Sequence, residues 1–313
     1  MIAFMDDSSL SNLVLASLFG LGSALLTTCI AALMGFFQIP VKRYEEPKPL
    51  KFSVVLWAFL IFLIVKYVVS PALLVIGYFF WAGQEIDTQM FMQSVELQGW
   101  FSLILIGILL AAYLVYFYVI APESRAIAWG KSRNPIRDIF IGILTWLVAY
   151  PWIFALSHFI EYITWNFYKG PALEQLAVEN LRMVMAYPVL FWLTAFSVVI
   201  VAPVIEELLF RGLLQTWLQQ RIGVPGAIII TAIAFALLHF SGTQGIFNIS
   251  ILVSLFVLAL FLGFLRVRQN SLLAPIALHS TVNLISFFVI VIQEKFNETL
   301  FAPAAYLFGF IWR

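Results

Sequence analysis

Apolar residues in this chain neither alternate nor keep to one helical stripe. They run on in long blocks separated by short polar stretches. A helix needs ~20 mostly apolar residues to cross a bilayer. Candidate spans are Leu10–Phe37, Phe52–Trp81, Trp100–Ala121, Ile136–Trp165, Val189–Gln219, Pro225–Phe240, Ile246–Leu265 and Leu272–Ile292. The pattern predicts an all-α, polytopic membrane protein, a bundle of about eight transmembrane helices. A final apolar stretch, Leu300–Trp312, is too short to cross and reads as interfacial. There is no internal repeat and no low-complexity tract. The first block follows Asp6 and Asp7 rather than basic residues and is too long for a cleaved signal, so it is read as a retained helix.

Composition strengthens this reading. The chain is 63% hydrophobic and only 11% charged, with a mean hydropathy of +1.01. A soluble domain carries roughly 25% charged residues, so the lipid bilayer must cover much of this surface. A net charge of +1 gives no reason to expect nucleic acid as a partner. The single cysteine, Cys29, has no thiol partner and reads as a small packing residue.

Charge in the loops alternates. Lys42, Arg43, Lys48 and Lys51 fill the first loop, and Glu85, Asp87 and Glu96 the second. Arg125, Lys131, Arg133 and Arg137 fill the third; the fourth is mixed, with Lys169, Glu174, Glu179 and Arg182. The fifth begins at Arg221, and the seventh holds Arg266 and Arg268. Basic loops mark the cytoplasmic side. Both termini are therefore expected on the non-cytoplasmic side, in a multi-pass protein of a bacterial inner membrane.

Candidate chemistry begins in the fifth span. Glu206, Glu207 and Arg211 lie within six residues of one another. Each charge at the centre of a spanning helix costs ~2.5–3.5 kcal/mol on insertion scales. Glu207 and Arg211, at i and i+4, share a face and can neutralise each other. Glu206 points about 100° away and lacks a partner on its own helix. Pro203, one turn earlier, favours a kink. The sixth span carries Phe235 and His239, the eighth His279 and Asn283, each pair at i and i+4. Counted from the basic ends at ~1.5 Å per residue, Glu206, His239, His279 and Asn283 can share one layer, roughly 12–21 Å deep. A carboxylate, two imidazoles and a carboxamide could then meet in one cavity.

These three motifs, in this order on successive spans, resemble the CAAX protease and bacteriocin-processing family, the type II CAAX prenyl endopeptidases and their bacterial relatives. The resemblance runs from about Val189 to Ser286. It implies an intramembrane endopeptidase acting on a membrane-associated peptide or protein. Glu206 and His239 would activate water, and His279 and Asn283 would stabilise the oxyanion. Glu207 and Arg211 would hold Glu206 in place, with Phe235 a wall of the cavity. The chain divides accordingly into N-terminal helices (1–188), a catalytic core (189–293) and a C-terminal interfacial tail (294–313).

Other readings stand beside this one. Glu206, His239 and His279 could ligate a zinc ion that polarises water, although no His-Glu-x-x-His is present. The metal-free route is preferred, since the candidate ligands come from separate helices. Taken singly, the charged cluster could be a structural ion pair and each histidine an interhelical hydrogen-bonding group. Buried Glu and His also mark ion or proton pathways in transporters, but these usually show repeated halves. A non-catalytic relative that binds a partner is the third class. His158 is assigned an interfacial or structural role. Lys66 is expected to pair with an acid or a carbonyl across the bundle.

Overall fold

A computed structural model describes residues 7–39, 49–82, 94–167, 181–182, 184–242, 245 and 248–296. Lys42, Arg43, Lys48, Glu85, Asp87, Lys169, Glu174, Glu179 and the Leu300–Trp312 stretch lie outside the described residues. The described residues form helices and no named strand; among them a single isolated bridge joins Gly130 and Ser271. In chain order the elements are α1 (Asp7–Leu33), α2 (Phe52–Ile64), π1 (Val65–Val69), α3 (Ser70–Ala82), α4 (Val95–Val115), π2 (Tyr116–Ile120), α5 (Pro122–Trp129) and α6 (Pro135–Phe167). They continue with α7 (Pro188–Phe196), π3 (Ser197–Val201), α8 (Ala202–Glu207), π4 (Leu208–Gln215), α9 (Thr216–Leu238), α10 (Asn248–Gln269) and α11 (Leu273–Phe296).

Among the described residues, seven helical stretches are long and apolar enough to cross a membrane. One of them, Pro188–Leu238, has 51 residues, about twice what a bilayer requires. It is broken at Gly223, whose φ of 75° and ψ of 176° are not helical. That pair of angles is essentially restricted to glycine. The fifth and sixth spans are therefore one helical ribbon folded at a single residue, and the protein is an all-α, multi-pass membrane protein.

Three of the four π-helical segments end two residues before a proline: π1 before Pro71, π2 before Pro122 and π3 before Pro203. Proline has no N–H for the carbonyl four residues back, and its ring crowds that carbonyl. The turn widens instead. The N–H of the residue before each proline reaches five residues back, from Ser70 to Val65, Ala121 to Tyr116, and Ala202 to Ser197. The fourth, π4, has no such proline and carries Arg211; π segments inside α-helices gather at functional sites.

Contacts bring several of the connections together. Leu50 N–H donates to Gln220 Oε1 (3.1 Å), Arg268 Nε to the Phe36 carbonyl (2.6 Å), and Gly130 bridges Ser271. The first, third, fifth and seventh connections thus share one end. At the other end, Arg182 pairs with Glu294 at 3.6 Å. Within the bundle α1 lies along α6, and α6 packs on α10 and α11. One apolar core runs across residue 188, joining Val55, Ala58 and Tyr113 to Ile205, Leu209 and Phe235. Tyr113 and Tyr116 fasten α4 and π2 to α2 through the carbonyls of Ala58 and Val54.

Two expectations need correcting. Cys29 is exposed on the outside of α1, not packed inside. Lys66 has no acid paired with it among the described residues. It lies exposed on π1 while its neighbour Val65 is buried, with Nζ 5.8 Å from the Phe62 ring centroid and 5.5 Å from that of Tyr67, where the ring faces attract it. His158, expected to be interfacial or structural, is the latter. It is fully buried, its Nδ1 donates to the Phe154 carbonyl at 2.9 Å, and its ring lies 4.1 Å from that of Phe154.

Candidate active site

Glu206 and Glu207 end α8, the six-residue α-helical segment between π3 and π4. Their side chains leave the helix in different directions. Glu207 turns inward and is fully buried. Its Oε1 accepts from Arg211 Nη1 at 2.8 Å and from His279 Nδ1 at 2.9 Å. Arg211, also fully buried, reaches the Ala259 carbonyl with Nη2 (3.3 Å), and its guanidinium lies 4.5 Å from the Phe235 ring centroid. The i, i+4 pair read from the sequence is formed. One detail differs from expectation: the side chain that Glu207 holds is His279, on another helix.

Glu206 leaves the helix on a partly exposed side. Its Oε2 lies 3.9 Å from Nε2 of His239 and 3.9 Å from Nε2 of His279. Both gaps are too wide for a direct hydrogen bond, and Oε2 has no hydrogen-bond partner among the described residues. Glu206 and His239 keep side-chain exposures of 22% and 32%, against 7% for His279, so the opening lies on the His239 side.

The ring partners fix the protonation of both imidazoles. His239 Nδ1 lies 2.9 Å from the Phe235 carbonyl oxygen, which can only accept, so Nδ1 carries the proton. Against the Glu207 carboxylate, His279 Nδ1 must also donate. In the neutral form each histidine therefore turns a bare Nε2 lone pair toward Glu206. Asn283 donates from Nδ2 to the Val198 carbonyl at 2.8 Å, inside π3. One amide N–H is used there; the carboxamide has a second. Phe235 is fully buried beneath the group, its ring 4.8 Å from His239, 5.8 Å from His279 and 5.1 Å from Phe210.

Six of the seven sequence-selected residues are tied together by these contacts; Asn283, one turn beyond His279 on α11, reaches Val198 instead. The sequence reading missed Asn248, at the start of α10. Its Oδ1 accepts from Ser241 N–H (3.0 Å), and its Nδ2 donates to the carbonyls of Gly245 (3.0 Å) and Ser241. This buried amide pins the turn that follows His239. A lone asparagine opening an apolar span was the available signal, since an asparagine at a helix start caps it.

The fit of a zinc ion can be judged from spacing. Glu206, His239 and His279 offer suitable donor chemistry, with both Nδ1 atoms hydrogen-bonded as in many zinc sites. Bonds of ~2.0–2.1 Å in a tetrahedron put neighbouring donors about 3.3 Å apart, against the 3.9 Å separations seen here. Among the described residues no three His, Cys, Asp or Glu side chains form a metal-holding group. As placed, the set does not fit the ion.

Fold and site together define a class: a polytopic membrane protein with a carboxylate and two imidazoles gathered inside its helical bundle. Residues 188–285 match the family model described as Type II CAAX prenyl endopeptidase Rce1-like. The match covers less than a third of the chain and includes every motif residue named above. At family level it supports an intramembrane endopeptidase. No curated protein and no solved structure matches the chain.

Proposed function

We propose that the chain is a glutamate-dependent intramembrane endopeptidase that hydrolyses a peptide bond of a membrane-bound peptide or protein. The observation that carries this reading is the pair of 3.9 Å gaps between Glu206 Oε2 and the two histidine Nε2 atoms. Each is too long for a direct bond and short enough for one water to touch both sides. A water donating to Glu206 and to His239 keeps a lone pair for the scissile carbonyl carbon. On attack its proton passes to Glu206, and the protonated carboxyl then delivers a proton to the departing amine. The second amide N–H of Asn283 stabilises the oxyanion; His279 adds a donor from Nε2 only when doubly protonated. Glu207 holds His279 so that Nε2 faces the reaction, and Arg211 offsets the buried charge.

The basic residues of the odd-numbered connections support a cytoplasmic location for the end those connections share. On that reading both termini lie outside the cytoplasm, in a bacterial inner membrane.

The direct test is cleavage of a membrane-peptide library by purified protein in lipid, with and without chelator, alongside metal analysis. Cleavage by metal-free protein supports the proposal. Stoichiometric zinc in the wild type that is absent from His279→Ala would overturn the metal-free route. Proton-coupled solute uptake without cleavage of any peptide would move the chain to the transporters.

A further inference from the structure

A second polar cavity, of about 240 Å³, lies at the end of the bundle shared by the odd-numbered connections. Lys131, Arg133, Arg137 and Asp138 line it from the α5–α6 connection and the first turn of α6, and Asn270 lines it from the α10–α11 turn. Its frame is well fixed. Lys131 N–H donates to the Asn270 carbonyl (2.8 Å) and Leu272 N–H to the Trp129 carbonyl (3.1 Å). Between them Gly130 has a φ of 70°, and a Cβ there would lie 2.3 Å from the Asn270 carbonyl oxygen. Only glycine permits this approach. The buried Arg266 supports the frame by donating to the carbonyls of Ile127 (3.1 Å) and Ala128 (3.3 Å).

The charges in the cavity ask for a particular ligand. Lys131, Arg133 and Arg137 are exposed cations. Asp138, beside them, is 4% exposed, and its Oδ2 has no hydrogen-bond partner among the described residues. A buried carboxylate oxygen without a donor is costly. A simple anion would serve Lys131 and Arg137 and leave Asp138 unmet, while a simple cation would do the reverse. A phosphate with a primary ammonium a few bonds away meets both needs. Location adds to this, because Pro135 is the first residue of the Pro135–Phe167 span. The cavity therefore sits at the level of lipid headgroups. The N-terminus of the 33-residue α6 adds partial positive charge for an anion.

We propose that this cavity binds the headgroup of an aminophospholipid, with Lys131 and Arg137 on the phosphate and Asp138 on the ammonium. A bound headgroup ties the start of α6 to the α10–α11 turn, and α11 carries His279 and Asn283. It also braces α5, whose Ala128 carbonyl oxygen lies 3.1 Å from where a Cβ on Gly212 of π4 would sit. The site is independent of the endopeptidase reading.

The test uses full-length protein in detergent and titrates phosphatidylethanolamine, phosphatidylcholine, phosphatidylglycerol and soluble phosphoethanolamine, following lipid retention by native mass spectrometry and the melting temperature. Phosphatidylethanolamine should bind about tenfold tighter than phosphatidylcholine, whose quaternary ammonium cannot donate a hydrogen bond to Asp138. Asp138→Asn should erase that preference while keeping affinity for the phosphate. The double substitution Lys131→Gln, Arg137→Gln should weaken all three lipids. A ratio between lipids on one protein is unaffected by a general loss of stability. Soluble phosphoethanolamine binding as tightly as the lipid would overturn the lipid assignment. Phosphatidylglycerol matching or exceeding phosphatidylethanolamine, or an Asp138→Asn protein that keeps the preference, would overturn the headgroup assignment. So would an absence of binding by any of the four.

Discussion

Glu206 and Glu207 are adjacent in sequence and lie in opposite surroundings. Around Glu207 everything is closed: the carboxylate and Arg211 are fully buried, and two donors converge on one oxygen. Just below, Gln215 Nε2 ties π4 to the Gly263 carbonyl of α10 at 2.9 Å. Around Glu206 the partners stand back at 3.9 Å and the cavity opens past His239. Composition cannot explain the difference, since the two residues are identical. It comes from the helix, which turns one carboxylate toward α10 and α11 and the other toward the ends of α9 and α11. The closed region has the character of a support and the open one that of a place where a reactant can enter. Each region should therefore fail in its own way when altered.

The largest effect is expected in the closed region. Removing one partner of a buried ion pair costs ~3–5 kcal/mol. Glu207→Gln and Arg211→Gln should each lower the unfolding free energy by about that amount, as read by denaturation in detergent. The double substitution should recover part of the loss. A double mutant no more stable than either single one would show that the two residues are not partners. Next comes Asn283→Ala. Loss of an oxyanion donor should reduce kcat by about 10²–10³-fold with little change in KM. A rise in KM at unchanged kcat would place Asn283 in binding alone. The smallest effect is predicted at Gly223→Ala. No atom lies within 4 Å of a Cβ built there, so only the backbone conformation resists, at ~1–3 kcal/mol. Stability should fall while kcat per folded molecule holds; a loss of kcat would couple the fold-back between the fifth and sixth spans to the chemistry.

Much of this was legible in the sequence. Span positions follow from runs of apolar residues, which bilayer thickness turns directly into helices. Glu206, His239 and His279 were placed in one layer by counting residues, because rise along a helix is nearly constant. The rotation of each helix about its axis was not legible, and partners depend on it. The i, i+4 spacing gave Glu207 and Arg211 each other, but nothing in the spacing reveals that Glu207 also faces His279. The bond from Asn283 to Val198 was hidden for a related reason. It reaches a carbonyl in π3, and the widening of a turn ahead of Pro203 changes which backbone groups face the bundle. Lys66, on π1 ahead of Pro71, likewise faces outward instead of across the bundle.

The central claim is that Glu206 works in an open site while Glu207 supports from a closed one. The most direct measurement compares peptide cleavage per folded molecule for wild type and Glu206→Gln, reconstituted in lipid, with melting curves recorded on the same samples. The swap is near-isosteric and leaves the Glu207–Arg211 pair untouched. Cleavage should be lost, by at least the ~10²–10⁴-fold that a general base contributes, while the melting temperature stays near that of the wild type. Cleavage within threefold of wild type would contradict the assignment of Glu206.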